Sequence, residues 1–342
     1  MKFEEYAKRR TGHEWFRLEA EEYEREHEKM FDAEGVNNPL CAYLPGTLLE
    51  ETRADSEYNI GMVYYLGTHA RKNYKEAYKC FLQASKYGHL KAVEKIARLY
   101  YFGQGVEQDY CKAFEWYKRA AEFGDIESQF RLGILYNDGL GVLRDYQCAF
   151  EYYTTAADTG NHVLAMYNLG VLYENGDYVP KDYPKAFELY SKASEFDDEI
   201  SLYKVATWYE KGRGTAQNYK KAISIYRRLV NDDRRSEAHY RIGRMYDEGH
   251  GVSQNYLQAY KNYFVLARIG NPKAQMRVGI MHLNGLGIDK SKDEGIYWLE
   301  KAAQGGNDLA DAMLNEMEVW EAVEDKKQTA DSPKSLNDLF NL

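Results

Sequence analysis

Along most of the chain, apolar residues return at helical spacing, stop at a glycine turn, and return again. Phe130, Leu132, Leu135 and Tyr136 form one such stripe, suited to the buried face of a helix. It ends at Asn137-Asp138-Gly139-Leu140-Gly141-Val142, a turn whose glycines supply positive-φ positions. Asp145 then predicts a side-chain cap for a second helix carrying Ala149, Tyr152, Tyr153, Ala156 and Ala157, closed by Gly160. Asn73, Asp109, Asp182, Asn218 and Asn255 hold the same cap position elsewhere.

The pattern repeats. Turn glycines at Gly67, Gly103, Gly139, Gly176, Gly212, Gly249 and Gly285 recur at intervals of 36 or 37 residues. A small-residue series (Gly61, Ala97, Gly133, Gly170, Ala206, Gly243, Gly279) keeps step, as does a second-helix series (Ala77, Ala113, Ala149, Ala186, Ala222, Ala259, Gly295). Three series in one phase define seven repeats over residues 56–307. Glycine is costly inside a helix, so Gly133 implies close approach of a neighbouring helix. The spacing from Tyr136 to Ala149 is the same in every repeat, so the extra residue of the longer periods falls between repeats, after the third and the fifth. The first and fourth turns depart from Gly-x-Gly-Val, reading Gly67-Thr68-His69-Ala70 and Gly176-Asp177-Tyr178-Val179. Leu229 and Leu266 replace a small residue in the fifth and sixth repeats, which predicts slightly spread helices and a local change of curvature.

The segments LGILYNDGLGVLRDYQCAFEYYTTAADTG (132–160) and IARLYYFGQGVEQDYCKAFEWYKRAAEFG (96–124) resemble the Sel1-like repeat, a relative of the tetratricopeptide repeat. The resemblance covers about three quarters of the chain. It implies an all-α fold, a right-handed α-solenoid of seven helix-turn-helix repeats with capping helices, the first helix of each pair lining the concave side. Members of the family act as adaptors or scaffolds in signalling, secretion, envelope biology and host interaction. Secreted members pair cysteines within repeats; this chain lacks that spacing, so no disulfide is carried over.

The ends differ from the repeats. Residues 1–55 read as a capping helix over 1–35, with Phe16, Ala20, Tyr23, His27, Met30 and Phe31 at helical spacing, and a docking loop over 36–50. A short dimerising coiled coil is the alternative for the same stripe. Residues 308–324, with Leu309, Met313 and Met317, predict a carboxy-terminal capping helix. Residues 325–342 read as a flexible tail with a short amphipathic motif, SLNDLFNL.

Composition narrows the function. The 342 residues carry 45 Lys and Arg against 54 Asp and Glu, a formal charge of −9, which gives nucleic-acid binding no support. With 32 tyrosines and 6 prolines the chain suits helices whose cores accept amphipathic rings. Most tyrosines fall at repeat positions and read as packing residues. No segment approaches the roughly 20 apolar residues of a membrane span, and the amino terminus has no signal-peptide core, so a cytoplasmic monomer without membrane insertion is expected. Cys41, Cys80, Cys111 and Cys148 stand singly and read as buried reduced thiols. The glycine turns lack the phosphate-loop pattern, and the eight histidines lack metal-ligand spacing. No catalytic residue, metal or cofactor is expected, and the chain does not read as an enzyme.

What remains is a surface for a protein or peptide partner. By analogy with tetratricopeptide helices, the concave side carries an aromatic ladder, Tyr58, Phe130, Tyr167, Tyr203 and Tyr240. Beside it the edge is apolar in the first two repeats (Tyr65, Leu66, Tyr101, Phe102) and mostly acidic or amidic in the next four, with Arg98 and Arg244 between. Large rigid rings are favoured interface anchors. The apolar edge could equally seat residues 36–50 internally. The sequence therefore predicts a bacterial adaptor, scaffold or regulator gripping a partner in its groove; the alternative is an immunity or inhibitor protein that neutralises a toxin or enzyme by direct binding.

Overall fold

The computed structural model describes residues 46–232 and 237–317, all helices and turns, with no strand among the described residues. The chain divides after Asp198 into two compact units. Unit 1 holds repeats one to four: α1 (Gly46–Leu66) and α2 (Tyr74–Lys86), α3 (Leu90–Phe102) and α4 (Tyr110–Glu122), α5 (Ile126–Asp138) and α6 (Tyr146–Gly160), α7 (Val163–Asn175) and α8 (Tyr183–Ser194). Unit 2 holds repeats five to seven: α9 (Glu199–Lys211) and α10 (Tyr219–Asp232), α11 (Ala238–Glu248) and α12 (Tyr256–Arg268), α13 (Pro272–Asn284) and α14 (Lys292–Gln304), then a last helix, α15, over 308–317. Within each unit every helix packs on the next in sequence, the arrangement of an α-solenoid.

The predicted devices are in place. Asp145 Oδ1 accepts from the Gln147 and Cys148 backbone N–H groups, and Asn73, Asp109, Asp182, Asn218 and Asn255 cap their helices in the same way. A Cβ on Gly133 would lie 2.6 Å from the Tyr153 ring, so a larger residue there would force that ring or the α5–α6 spacing to shift. The second-helix rings Phe81, Tyr117, Tyr153, Tyr190, Tyr226 and Tyr263 are buried, and all of them but Tyr190 belong to local core clusters that follow one another along each unit. Leu229 and Leu266 join the core of unit 2.

Several expectations change. Helix α1 begins at Gly46, inside the stretch read as a docking loop; the sequence after that glycine lacks proline and is rich in helix formers. The extra residue after the third repeat lengthens α6 to 15 residues, so the helix closes at Asn161, in left-handed conformation (φ 48°), and not at Gly160. Met313 and Met317 of α15 pack on Leu299, Ala302 and Ala310, but Leu309 is exposed. The cysteines are less buried than expected, because they ride on outward positions of second helices: Cys111 is exposed, and Cys80 and Cys148 are half-buried. The capping segment at 1–45, Cys41 within it, and the tail at 325–342 lie outside the described residues. No helix among the described residues is long and apolar enough to cross a membrane.

Candidate functional site in the first-helix rows

Helical geometry puts the ladder residues on the first helix of each repeat, and each lies over the second-helix ring of its own repeat. In unit 1, Tyr58 packs on Phe81 (centroids 5.7 Å apart), Phe130 on Tyr153 (5.9 Å) and Tyr167 on Tyr190 (5.0 Å). In unit 2, Tyr203 packs on Tyr226 (5.7 Å) and Tyr240 on Tyr263 (5.4 Å). The ladder is therefore anchored to the core along its whole length, with its rings held at low entropy. Burial pushes the Tyr203 hydroxyl up to about 12, against the pull of the Arg241 guanidinium.

The ten expected contact residues divide by exposure. Tyr58, Phe102, Tyr167, Tyr203, Tyr240 and Arg244 remain partly exposed. Tyr65, Arg98, Tyr101 and Phe130 retain at most 2% of their surface, and so cannot serve as open contacts in this structure. The reasons are local. Tyr65 packs on Tyr74 and Phe81, and Tyr101 on Phe102, Tyr110 and Tyr117. Phe130 is covered by the His162 ring at 4.2 Å, and the Arg98 guanidinium lies over Phe102. His89 covers Tyr58 in the same manner, also at 4.2 Å.

The acidic edge is partly core. Glu174, Glu210 and Asp247 accept hydrogen bonds from the buried hydroxyls of Tyr190, Tyr226 and Tyr263, at 2.7, 2.9 and 3.3 Å. The first repeat has Tyr65 in place of the carboxylate and Phe81 in place of the tyrosine, so the acceptor and the hydroxyl it would satisfy are both gone.

A basic row went unread in the sequence. Lys95, Arg131, Lys204, Arg241 and Arg277 each follow a ladder position by one residue. In unit 2 two of these residues reach back one repeat: Arg241 Nε donates to Tyr203 Oη at 3.2 Å and Nη1 contacts Glu210 at 3.4 Å, while Arg277 pairs with Asp247; Lys204 instead lies over Trp208 of its own helix. Lys95 also reaches back, in unit 1, lying over the Tyr65 ring. The period alone could have found the row, but not its direction of reach. Arg244 makes a two-pronged bond to Glu248 (3.2 Å each), which raises the guanidinium pKa, and it stays more than a third exposed. Among the described residues no group of three or more His, Cys, Asp or Glu is placed to hold a metal.

Antiparallel helix pairs stacked in register, with aromatic, basic and acidic rows on their first helices, define an α-solenoid of the protein-interaction type. The Sel1 repeat model matches the chain seven times, over residues 54–89, 91–125, 126–161, 163–195, 200–231, 236–270 and 272–307. The chain belongs to the Sel1 repeat family, whose repeats mediate protein–protein binding. Among solved structures it is similar to a protective antigen of uropathogenic Escherichia coli displaying the same fold, with 29% identity and a TM-score of 0.70. That match covers 78% of this chain, which spans only 58% of the antigen's length. A Sel1 repeat protein from Oxalobacter formigenes is 28% identical over 74% of this chain and 99% of its own, with a TM-score of 0.58. No curated protein matched the sequence.

Proposed function

We propose that the chain is an adaptor or scaffold that binds a partner protein through the first-helix rows, with Tyr203, Tyr240 and Arg244 as contacts in unit 2 and Tyr167 as a contact in unit 1. The observation carrying this reading is the pinned but still accessible part of the ladder: Tyr167, Tyr203 and Tyr240 each rest on a buried second-helix tyrosine and keep part of their surface free. A ring held this way loses little entropy when a partner covers it. Arg244 adds a cation more than a third exposed, whose nearer carboxylate partner Glu248 is also exposed while Glu210 lies 3.9 Å away, so a partner's acid can compete with Glu248 for it.

The test begins with affinity capture and mass spectrometry from the native host to name a partner, which is then purified and titrated calorimetrically. Tyr203→Ala with Tyr240→Ala is expected to weaken binding by at least tenfold, the loss of one hot spot being worth about 2 kcal/mol, while the helical circular dichroism is unchanged. Undiminished affinity in a folded double variant would exclude the unit 2 rows as the contact surface.

A further inference from the structure

A first helix that follows another repeat within its unit buries the side turned toward that repeat. Ile96, Leu132, Leu169, Ile242 and Val278 share one position and keep at most 5% of their surface. Leu99, Leu135, Leu172, Met245 and Met281, three residues further on, keep at most 2%. In α3 the row is Ala92, Ile96 and Leu99, at i, i+4 and i+7, and it joins Ala77, Phe81 and Ala84 of α2 in one core cluster. The rows of α5, α7, α11 and α13 join α4, α6, α10 and α12 in the same way. Helix α1 opens unit 1 and carries this row as Ser56, Ile60 and Val63. There Ser56 is exposed, Ile60 is 45% exposed and Val63 is only half-buried. Isoleucine and valine left open on a row that is core in five other helices mark an end face built to be covered.

The segment before α1 carries a matching pattern. Phe16, Ala20, Tyr23, His27 and Met30 fall at i, i+4, i+7, i+11 and i+14, which continues the spacing of Ala77, Phe81 and Ala84. Glu19, Glu21, Glu22, Glu24, Glu26 and Glu28 stand between them, and a terminal cap needs such a polar outer side. Residues 32–45 connect this stripe to Gly46, where α1 starts. That connection reaches about 46 Å when extended, whereas α1 takes only about 21 Å to run from Gly46 to Ile60. The stripe can therefore return along α1 to the open row.

We propose that the chain's own stripe from Phe16 to Met30 docks on the Ser56–Ile60–Val63 row of α1. It takes the place that a preceding second helix takes within each unit. The glutamates of the stripe then face outward, and their like charge keeps copies of the chain from stacking end to end through this face.

The test is hydrogen exchange of the full chain read by mass spectrometry, with its mass in solution measured by light scattering. In the wild type, amides of residues 16–31 are expected to exchange at least tenfold more slowly than in an unstructured peptide. Ile60→Asp should remove most of that protection. Tyr23→Asp, made from the other side of the contact, should speed exchange at residues 56–64. Exchange on α7 and α8 should stay as in the wild type for both variants, which shows that the repeats remain folded. Exchange of 16–31 at the unstructured rate in the wild type would overturn the proposal. So would protection there that survives Ile60→Asp, since the stripe would then dock elsewhere. A wild-type dimer that Ile60→Asp dissociates would also overturn it, because the occupant of the row would be a second copy of the chain.

Discussion

Single side chains set how closely the two helices of a repeat meet. Gly133, Gly170 and Gly243 each lie under a second-helix tyrosine, and a Cβ there would fall 2.6–2.7 Å from the ring. Two histidines join successive repeats in unit 1. His89 Nδ1 accepts from the Ala92 N–H at 3.2 Å, its Nε2 faces Asp55 at 3.4 Å, and its ring stacks on Tyr58. His162 does likewise with Ala165, Glu127 and Phe130. An Nδ1 that accepts must be unprotonated. Burial lowers the His89 pKa; Asp55 opposes that shift, and Lys91 reinforces it. The unfolded chain therefore takes up this proton more readily than the folded one. The stabilisation is complete above the unfolded value of about 6.5 and is lost as pH falls through the lower folded value. His89→Asn keeps a capping acceptor and removes the titration. Between pH 7.5 and 5.5 the denaturation midpoint of the wild type should fall further than that of the variant; identical shifts would show that His89 does not contribute to the pH dependence.

The helical hairpin is the element on which the fold is built, and the one the sequence displays best. Its caps, its glycine turn and its close-packed small residue are all local in sequence, so each leaves a periodic mark. Asn255 Oδ1 accepts from the Gln258 N–H at 3.0 Å; Asn255→Ala should cost about 1 kcal/mol in chemical denaturation, whereas Asn255→Asp should cost almost nothing. Equal, negligible losses would mean the cap adds no stability. The fourth turn shows a limit of pattern reading. Tyr178 takes the positive φ (66°) that glycine takes at Gly141 and Gly214, with its ring set against Phe150. The burial of Tyr65, Arg98, Tyr101 and Phe130 was equally hidden. These residues occupy positions that analogy assigns to the open side, and only the packing of Tyr74, Tyr110 and His162 around them covers their surface. Arg241 and Arg277 repeat at 36 residues, but their reach to the preceding repeat depends on how hairpins stack, which no single period encodes.

At the scale of the molecule, length and composition acquire a physical meaning. A core built repeat by repeat does not need the single large interior that 342 residues would otherwise suggest, and stability becomes a sum of hairpin and neighbour contributions. Among the described residues, the repeat-position tyrosines include buried second-helix anchors, half-buried first-helix packing residues and a smaller ladder set that retains surface. The central claim is that this ladder is the contact surface. Hydrogen exchange of the full chain with and without its captured, purified partner tests it most directly. Added protection is expected to concentrate in the first helices, on α9 and α11 in unit 2 and on α7 in unit 1. Protection confined to second helices or to the glycine turns, with the first helices unchanged, would contradict it.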